Sequence, residues 1–90
     1  MKVEVIVYGY LMTLIGGKQT VELKDNAQLD DLTAKLAASA GGFKRGHVGP
    51  YRVDSDLIVL INGRNVKALK KPFSLTEGDV VTLIPPHMGG

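Results

Sequence analysis

The sequence contains no cysteine and no tryptophan among its 90 residues. Without cysteine the chain can form no disulfide, offer no thiolate to a metal ion and use no thiol as a nucleophile. Its formal net charge is only +2, and no basic stretch carries interleaved aromatic residues, so we expect no nucleic-acid partner. No apolar run has the length of a membrane span, and no signal-peptide pattern opens the chain. We therefore expect a cytoplasmic protein that does not enter a membrane.

Few polar side chains are candidates for a reactive site. The two histidines, His47 and His87, have no nearby pair of carboxylates, so we expect no metal site. No set of acid, base and nucleophile is evident, and we expect no cofactor bound by this chain and no self-contained active site. Lys67, Lys70 and Lys71 form a small basic cluster, which is typical of a solvated face but would also suit an acidic partner.

The composition is that of one globular domain. Hydrophobic residues make up 44% of the chain and charged residues 22%, which are ordinary values for a soluble fold. We expect a single domain over residues 1–84 and a flexible tail over residues 85–90.

That tail is the most distinctive segment of the sequence. It reads Pro85, Pro86, His87, Met88, Gly89, Gly90. Proline lacks a backbone donor and has a fixed φ, so the pair is expected to close the preceding strand and direct the tail outward. Two glycines form a backbone without side chains that is free in φ and ψ. Such a strip can enter a narrow channel and present the Gly90 carboxylate to another enzyme; the alternative is an ordinary frayed terminus.

Period-two alternation predicts two strands near the start of the chain. Val3, Val5 and Val7 alternate with other residues, as in a half-buried strand. The segment Thr20–Leu23 alternates in the same way and is predicted to lie antiparallel to the first strand. Gly16-Gly17 is predicted to be the hairpin turn between them.

A helical pattern follows. Its apolar face consists of Leu29, Leu32, Leu36 and Ala40. Asp30 and Asp31 suit the first turn because the helix dipole favours negative charge there. Asn26 is the nearest residue of a type that caps helices, and Gly41-Gly42 is placed where a left-handed C-cap requires glycine.

The second half of the sequence contains further strands and turns. We interpret Phe43–Asp56 as a long, weakly ordered loop. Leu57–Ile61 is predicted to be a strand that ends at the Asn62-Gly63 turn, and Asn65–Leu69 a short strand. Glu77-Gly78-Asp79 is predicted to turn into the last strand. The fold class is therefore α+β, with a mixed sheet and one main helix packed across one face.

The strand alternation also predicts an apolar face that the helix does not cover. Its residues are Ile6, Tyr8, Ile58, Leu60 and Ile84. Exposed apolar patches usually mark interfaces, so these residues are predicted to contact a partner. Alternatively, Phe43, Val48 or Tyr51 from the long loop covers some of them.

Four motifs resemble, in their order and spacing, the ubiquitin-like sulfur carriers, and most closely the small subunit of molybdopterin synthase. They are Asn62-Gly63, Leu75-Thr76-Glu77-Gly78-Asp79, Pro85-Pro86 and Gly89-Gly90. The resemblance implies a β-grasp fold. The sequence departs from the family pattern at His87-Met88 and in the Phe43–Asp56 loop.

The resemblance further implies a function for the tail. In that family an ATP-using activating enzyme adenylates the C-terminal glycine, here Gly90, and a sulfur donor converts it to a thiocarboxylate. The sulfur then passes to a pterin precursor in a larger molybdopterin synthase subunit, for molybdenum or tungsten cofactor synthesis. Residues 85–89 would be recognised by these partners. The alternatives are a ubiquitin-like modifier joined through Gly90 to target lysines, a thiamin-type sulfur carrier, and an interaction domain with a fortuitous tail.

Overall fold

The structure is a computed structural model, and it describes residues 1–39, 46–70 and 74–86. The strands are β1 (Lys2–Val7), β2 (Lys18–Glu22), β3 (His47–Val48), β4 (Tyr51–Arg52), β5 (Ile58–Ile61), β6 (Arg64–Asn65) and β7 (Val80–Ile84). The helices are α1 (Leu11–Ile15) and α2 (Leu29–Ser39), and a 3₁₀ turn spans Val66–Ala68.

Five of these strands form one mixed sheet in the order β2-β1-β7-β5-β6. The two central strands, β1 and β7, run parallel, with Val5 opposite Val81. The other neighbours are antiparallel, and Val59 of β5 lies opposite Leu83 of β7. The last strand of the fold is thus held between the first strand and the Asn62-Gly63 hairpin.

The core lies on one side of this sheet, beneath α2. Alternate residues of the strands point into it because successive side chains face opposite sides. Leu32 and Leu36 of α2 pack with them and are fully buried. The buried strand residues are Val3, Val5, Val7, Val21, Val59, Ile61, Val81 and Leu83. Burying a side chain of this size contributes about 1.5–3 kcal/mol to folding.

The start of α2 differs from the predicted cap. Asn26 has a positive φ of 66° and lies in the preceding turn. The backbone N–H of Gln28 instead donates to the Asp31 carboxylate at 2.8 Å, which is the reciprocal half of a capping box. Asp30 and Asp31 lie in the first turn as predicted. Ala40 and Gly41-Gly42 lie outside the described residues.

The connection between β1 and β2 is longer than the predicted hairpin turn. It contains α1, whose Leu11 is fully buried. Gly16 ends this helix with a φ of 87°, and its N–H donates to the Met12 carbonyl at 2.9 Å. The buried leucine explains why the chain makes this detour, since it adds a large side chain to a small core.

Residues 46–56 are not the weakly ordered loop that we predicted. Here β3 and β4 form a small antiparallel hairpin, and the Val53 N–H donates to the Gly46 carbonyl at 2.9 Å. Val48 and Tyr51 are 0% and 7% exposed and belong to the core. Burial of these two side chains orders a segment whose composition suggests a loop. Phe43 lies outside the described residues.

After β5 the chain turns as predicted, with positive φ values of 51° at Asn62 and 86° at Gly63, as a type I′ hairpin requires. The predicted strand Asn65–Leu69 is wrong beyond Asn65. The Asn65 side chain accepts a hydrogen bond from the Lys67 N–H at 2.9 Å and caps the 3₁₀ turn. This local bond competes with strand extension.

The α+β class, the mixed sheet and the helix across one face are as predicted. In the part of the chain that the structure describes, no helix is both long enough and apolar enough to cross a membrane.

Candidate functional site

The tail leaves the sheet from its central strand. β7 runs parallel to β1, and the Tyr8 N–H donates to the Leu83 carbonyl at 3.1 Å just beyond the paired residues. The strand ends at Ile84, Pro85 is half-buried, and Pro86 is exposed. His87, Met88, Gly89 and Gly90 lie outside the described residues. The tail therefore starts from the middle strand of the sheet, which is paired on both sides.

Gly9 lies against the first residue of the tail. Its φ is +65°, and a Cβ at this position would lie 2.8 Å from the Cγ atom of Pro85. That separation is closer than carbon atoms approach without repulsion. Gly9 thus allows the end of β1 to contact the Pro85 ring, which sets the position from which the tail departs. Sequence reasoning missed this contact, because it joins two residues that lie far apart in the sequence.

The five predicted interface residues lie together on the face of the sheet opposite the core. Strand register places Ile6, Thr82 and Leu60 in one row across β1, β7 and β5. The next row, nearer the tail, consists of Tyr8, Ile84 and Ile58, because β1 and β7 continue in the same register. Tyr8 is 51% exposed and Ile58 47%, while Ile6, Leu60 and Ile84 are half-buried. We call these five residues the outer face.

The described part of the long loop does not cover the outer face. Val48 and Tyr51 lie in the core, on the other side of the sheet. Two more large apolar side chains are exposed after β1, Tyr10 at 54% and Met12 at 50%. Since β1 and β7 are parallel, these residues lie at the same end of the sheet as the tail. Exposed apolar surface is therefore concentrated around the point where the tail departs.

The opposite end of the sheet is held by a polar network. The Asn62 side chain accepts from the Val80 N–H and donates to the Asp79 carboxylate, both at 2.9 Å. Asp79 also accepts from the Thr76 N–H at 2.8 Å and from the Thr76 hydroxyl at 3.0 Å. Partial burial raises the pKa of Asp79, but these hydrogen bonds outweigh burial and hold its pKa below the ordinary value. The Asn-Gly and Gly-Asp motifs thus fix the start of β7.

The remaining polar candidates are dispersed. Among residues 1–39, 46–70 and 74–86, no group of three or more His, Cys, Asp or Glu side chains is placed to hold a metal ion. His47 is half-buried in β3, and Lys67 and Lys70 are exposed. Lys71 lies outside the described residues. The described residues therefore define one candidate site, an exposed apolar face beside the start of the tail.

A mixed sheet of this order with one helix across a single face is the β-grasp arrangement, which defines a ubiquitin-like protein. The chain belongs to the ThiS family, whose model matches residues 5–90. This is a family of ubiquitin-like sulfur carriers, and the match includes the tail.

Solved structures give the same fold. A Pyrococcus furiosus protein, provisionally described as molybdopterin converting factor subunit 1, is 30% identical with a TM-score of 0.74, covering 96% of this chain and 98% of that one. Haloferax volcanii SAMP1 is 21% identical with a TM-score of 0.75 over the whole of both chains. A structure from Helicobacter pylori, solved as a complex of subunits 1 and 2 of molybdopterin-converting factor, gives 23% identity and a TM-score of 0.61, also over the whole of both chains.

No curated protein gives a significant match to the sequence. The family match thus defines a ubiquitin-like protein of a sulfur-carrier family.

Proposed function

We propose that this protein carries sulfur as a thiocarboxylate on Gly90 for the synthesis of a molybdopterin-type cofactor. The observation that carries the proposal is the family match, which extends to residue 90 and therefore includes both glycines of the tail. The Pyrococcus furiosus relative supports the choice of pathway, because its provisional description names a molybdopterin converting factor.

The chemistry requires activation, because a carboxylate is a poor electrophile. An activating enzyme would transfer AMP from ATP to the Gly90 carboxylate and release pyrophosphate. A persulfide on a donor protein then attacks the acyl carbon and displaces AMP, which gives an acyl disulfide. A second thiol of the donor attacks the donor-side sulfur, so that a protein disulfide forms and the thiocarboxylate leaves on Gly90. The carrier supplies the electrophilic carbon, and its partners supply the nucleophiles and the electrostatic stabilisation.

The outer face is the proposed docking surface for these partners. Its most exposed row, Tyr8, Ile84 and Ile58, directly precedes Pro85. A partner that covers this row therefore lies next to the start of the tail. The packing of Pro85 against Gly9 fixes the starting point, and residues 86–90 then supply the reach into an active site of the partner.

Two partners are proposed, the ATP-dependent activating enzyme and a larger synthase subunit. The Helicobacter pylori relative was solved together with its subunit 2, and an equivalent subunit would receive the sulfur here. ATP is proposed as a substrate of the activating enzyme, and no cofactor is assigned to this chain.

A second candidate is a protein modifier joined through Gly90 to lysines of target proteins. The observation that favours it is the full-length structural likeness to Haloferax volcanii SAMP1 and to a small archaeal modifier protein from Methanosarcina acetivorans, which is 22% identical with a TM-score of 0.62. Both functions require the same activation of Gly90. They differ in the nucleophile that receives the activated acyl group, which is sulfur in a carrier and a lysine amine in a modifier.

The proposal is tested by intact-mass spectrometry after incubation with ATP, an activating enzyme of this family and a persulfide donor. We expect a mass gain equal to the replacement of one oxygen by sulfur, localised to Gly90 by fragmentation. Deletion of Gly90 should abolish the gain without changing the thermal midpoint, since a terminal residue of this kind contributes little burial.

Sulfur loading of the protein that lacks Gly90 would contradict the carrier proposal. Cleavage of the native proteome after methionine with cyanogen bromide distinguishes the second candidate, because Met88 directly precedes the two glycines. Gly-Gly remnants on lysines of other proteins, without a Gly90 thiocarboxylate, would favour the modifier.

A further inference from the structure

The strand β2 ends the sheet on one side. Within the described residues it pairs only with β1. An open strand edge carries backbone donors and acceptors that can pair with another chain. The sequence of β2 is Lys18, Gln19, Thr20, Val21, Glu22, and the side chains of its first, third and fifth residues are exposed.

The register shows which backbone groups face outward. Met1 and Leu23 exchange hydrogen bonds at 2.7 and 2.8 Å, and the Val7 N–H donates to the Gly17 carbonyl at 2.8 Å. In an antiparallel ladder, bonded and non-bonded pairs alternate. The odd-numbered residues of β2 therefore bond to β1. Lys18, Thr20 and Glu22 direct their N–H and C=O groups toward the open edge.

The sequence of this edge is complementary to itself. If a second β2 lies antiparallel with Thr20 opposite Thr20, then Lys18 of each copy lies opposite Glu22 of the other. Opposite charges and paired threonines are favourable directly across an antiparallel ladder. A shift by two residues loses the charge pairing: one such register places Lys18 opposite Lys24, and the other places it opposite Thr20. The centred register is thus selected by charge.

We propose that this protein self-associates through β2, with a second copy paired antiparallel across Thr20. Two backbone bonds join the threonines, and two more join each of the flanking Lys18 and Glu22 pairs. The operation is a two-fold axis perpendicular to the sheet, so the contact is closed and isologous. The two five-stranded sheets become one continuous sheet.

The neighbouring side chains are compatible with this pairing. The Lys18 ammonium lies 3.1 Å from the Glu4 carboxylate on the same side of the sheet, so it can contact Glu4 and the second copy's Glu22 together. The Lys35 ammonium donates to the Glu22 carbonyl at 2.6 Å, but a carbonyl has two lone pairs and can accept a further bond.

The dimer leaves the outer face open. A two-fold axis perpendicular to the sheet keeps the same face of each copy on the same side, so both outer faces remain available to partners. An interface of two five-residue strands is small, and small interfaces are typical of weak, concentration-dependent association. We therefore expect the dimer at high protein concentration.

The experiment combines sedimentation equilibrium with amide exchange measured by NMR on the full chain. As the concentration rises toward about 1 mM, the weak end of the affinity scale, the average mass should rise from 9.7 kDa toward twice that value. The Thr20 N–H, which β1 leaves free, should become protected over the same range. A monomer throughout, or association without protection of Thr20, would overturn the proposal.

Charge substitutions test the register. Glu22→Lys places like charges opposite each other and should lower the association constant at least tenfold. The double variant Lys18→Glu with Glu22→Lys restores opposite charges across the interface but loses the Lys18–Glu4 ion pair within each copy, so it should recover only part of the association constant. Asp54→Lys, in an exposed residue away from β2, makes the same change in net charge and should leave it unchanged. Equal association by Glu22→Lys and the original protein, or no recovery in the double variant, would contradict the register.

Discussion

The two faces of the central sheet are built from the same strands and the same kinds of residue, yet they differ in what they contact. On β7, Leu83 is fully buried beneath α2, while its neighbour Ile84 is half-buried on the outer face. On β5, Val59 is 2% exposed and Ile58 47%. The two residues of each pair differ only in the side of the sheet that they face, because successive strand residues alternate. Residue type therefore does not distinguish a residue that stabilises the fold from one that is available to a partner.

The two faces of the sheet have different roles. The inner face contributes the hydrophobic burial that a 90-residue domain requires. The outer face keeps apolar surface accessible beside the departing tail, where an ordinary surface would carry polar residues. A substitution that strongly lowers the free energy of unfolding on the inner face should have little effect on it on the outer face.

The largest contrast is expected between Leu83→Ala and Ile84→Ala. Leu83→Ala removes fully buried methyl groups and should lower the free energy of unfolding by about 2–5 kcal/mol. Ile84→Ala, one residue further along the same strand, should cost about 1 kcal/mol or less. Urea titration of both variants measures the difference. Equal losses would show that the outer face is part of the folding core.

The converse experiment places a charge on the outer face. Leu60→Asp or Ile84→Asp remains partly solvated in the free protein and should leave the thermal midpoint nearly unchanged. In a complex the charge is buried without a partner, so binding to the activating enzyme or larger subunit should weaken by roughly 10²-fold, about 2.7 kcal/mol. Calorimetric titration beside a thermal melt measures both effects.

Ser74→Asp, at an exposed position outside the outer face, is the matched control and should bind normally. If Leu60→Asp and Ile84→Asp fold and bind as the original protein does, the outer face is not the docking surface. The cluster of Lys67, Lys70 and Lys71 would then be the next candidate.

A smaller effect is expected where the tail meets the sheet. Gly9→Ala combines an unfavourable positive φ, about 1 kcal/mol, with overlap of the new Cβ and the Pro85 ring, about 1 kcal/mol or more. Gly63→Ala has a similar φ of 86° but no atom within 4 Å of its Cβ, so it isolates the first contribution. Urea titration should show a greater loss for Gly9→Ala.

Combining Gly9→Ala with Pro85→Ala removes the ring and should recover the second contribution in a double-mutant cycle. Additive losses in the double variant would mean that Gly9 and Pro85 do not interact.

The smallest effect concerns Asp79. Its hydrogen-bond network fixes the start of β7 and thereby which residues of that strand face the core. Its pKa is below the ordinary value of about 4, so its contribution to stability is fully present above that pH. The contribution is lost as the pH falls through the pKa of the folded state. Urea titrations at several pH values should show Asp79→Asn less stable near neutral pH, with the difference shrinking in acid. A difference that stays constant with pH would contradict the assigned hydrogen bonds.

The features that were predictable from the sequence are those with short-range causes. Alternation around Val3, Val5 and Val7, the helical spacing of Leu32 and Leu36, and the Asn62-Gly63 turn each depend on residues within a few positions of one another. The outer face was predictable for the same reason. Side chains alternate along a strand, so the residues next to the buried ones must face the other side of the sheet.

The features that were missed depend on contacts between distant segments. Val48 and Tyr51 form strands of two residues, too short for a periodic signal, and only the core of the folded chain orders them. The five-residue helix α1 is likewise too short for a periodic signal, and burial of Leu11 in the core holds it in place. The contact between Gly9 and Pro85 joins opposite ends of the chain, and no local pattern encodes it. The strand predicted after Asn65 failed because its side chain caps a 3₁₀ turn.

The proposed function requires that the outer face dock on the activating enzyme and so bring Gly90 to it. The most direct test is the initial rate of thiocarboxylate formation, followed by intact mass, for the original protein and the Leu60→Asp variant at matched concentrations below saturation. We expect both proteins to melt at nearly the same temperature and kcat/KM for the variant to fall roughly 10²-fold. Equal rates for the two folded proteins, or sulfur found elsewhere than on Gly90, would contradict it.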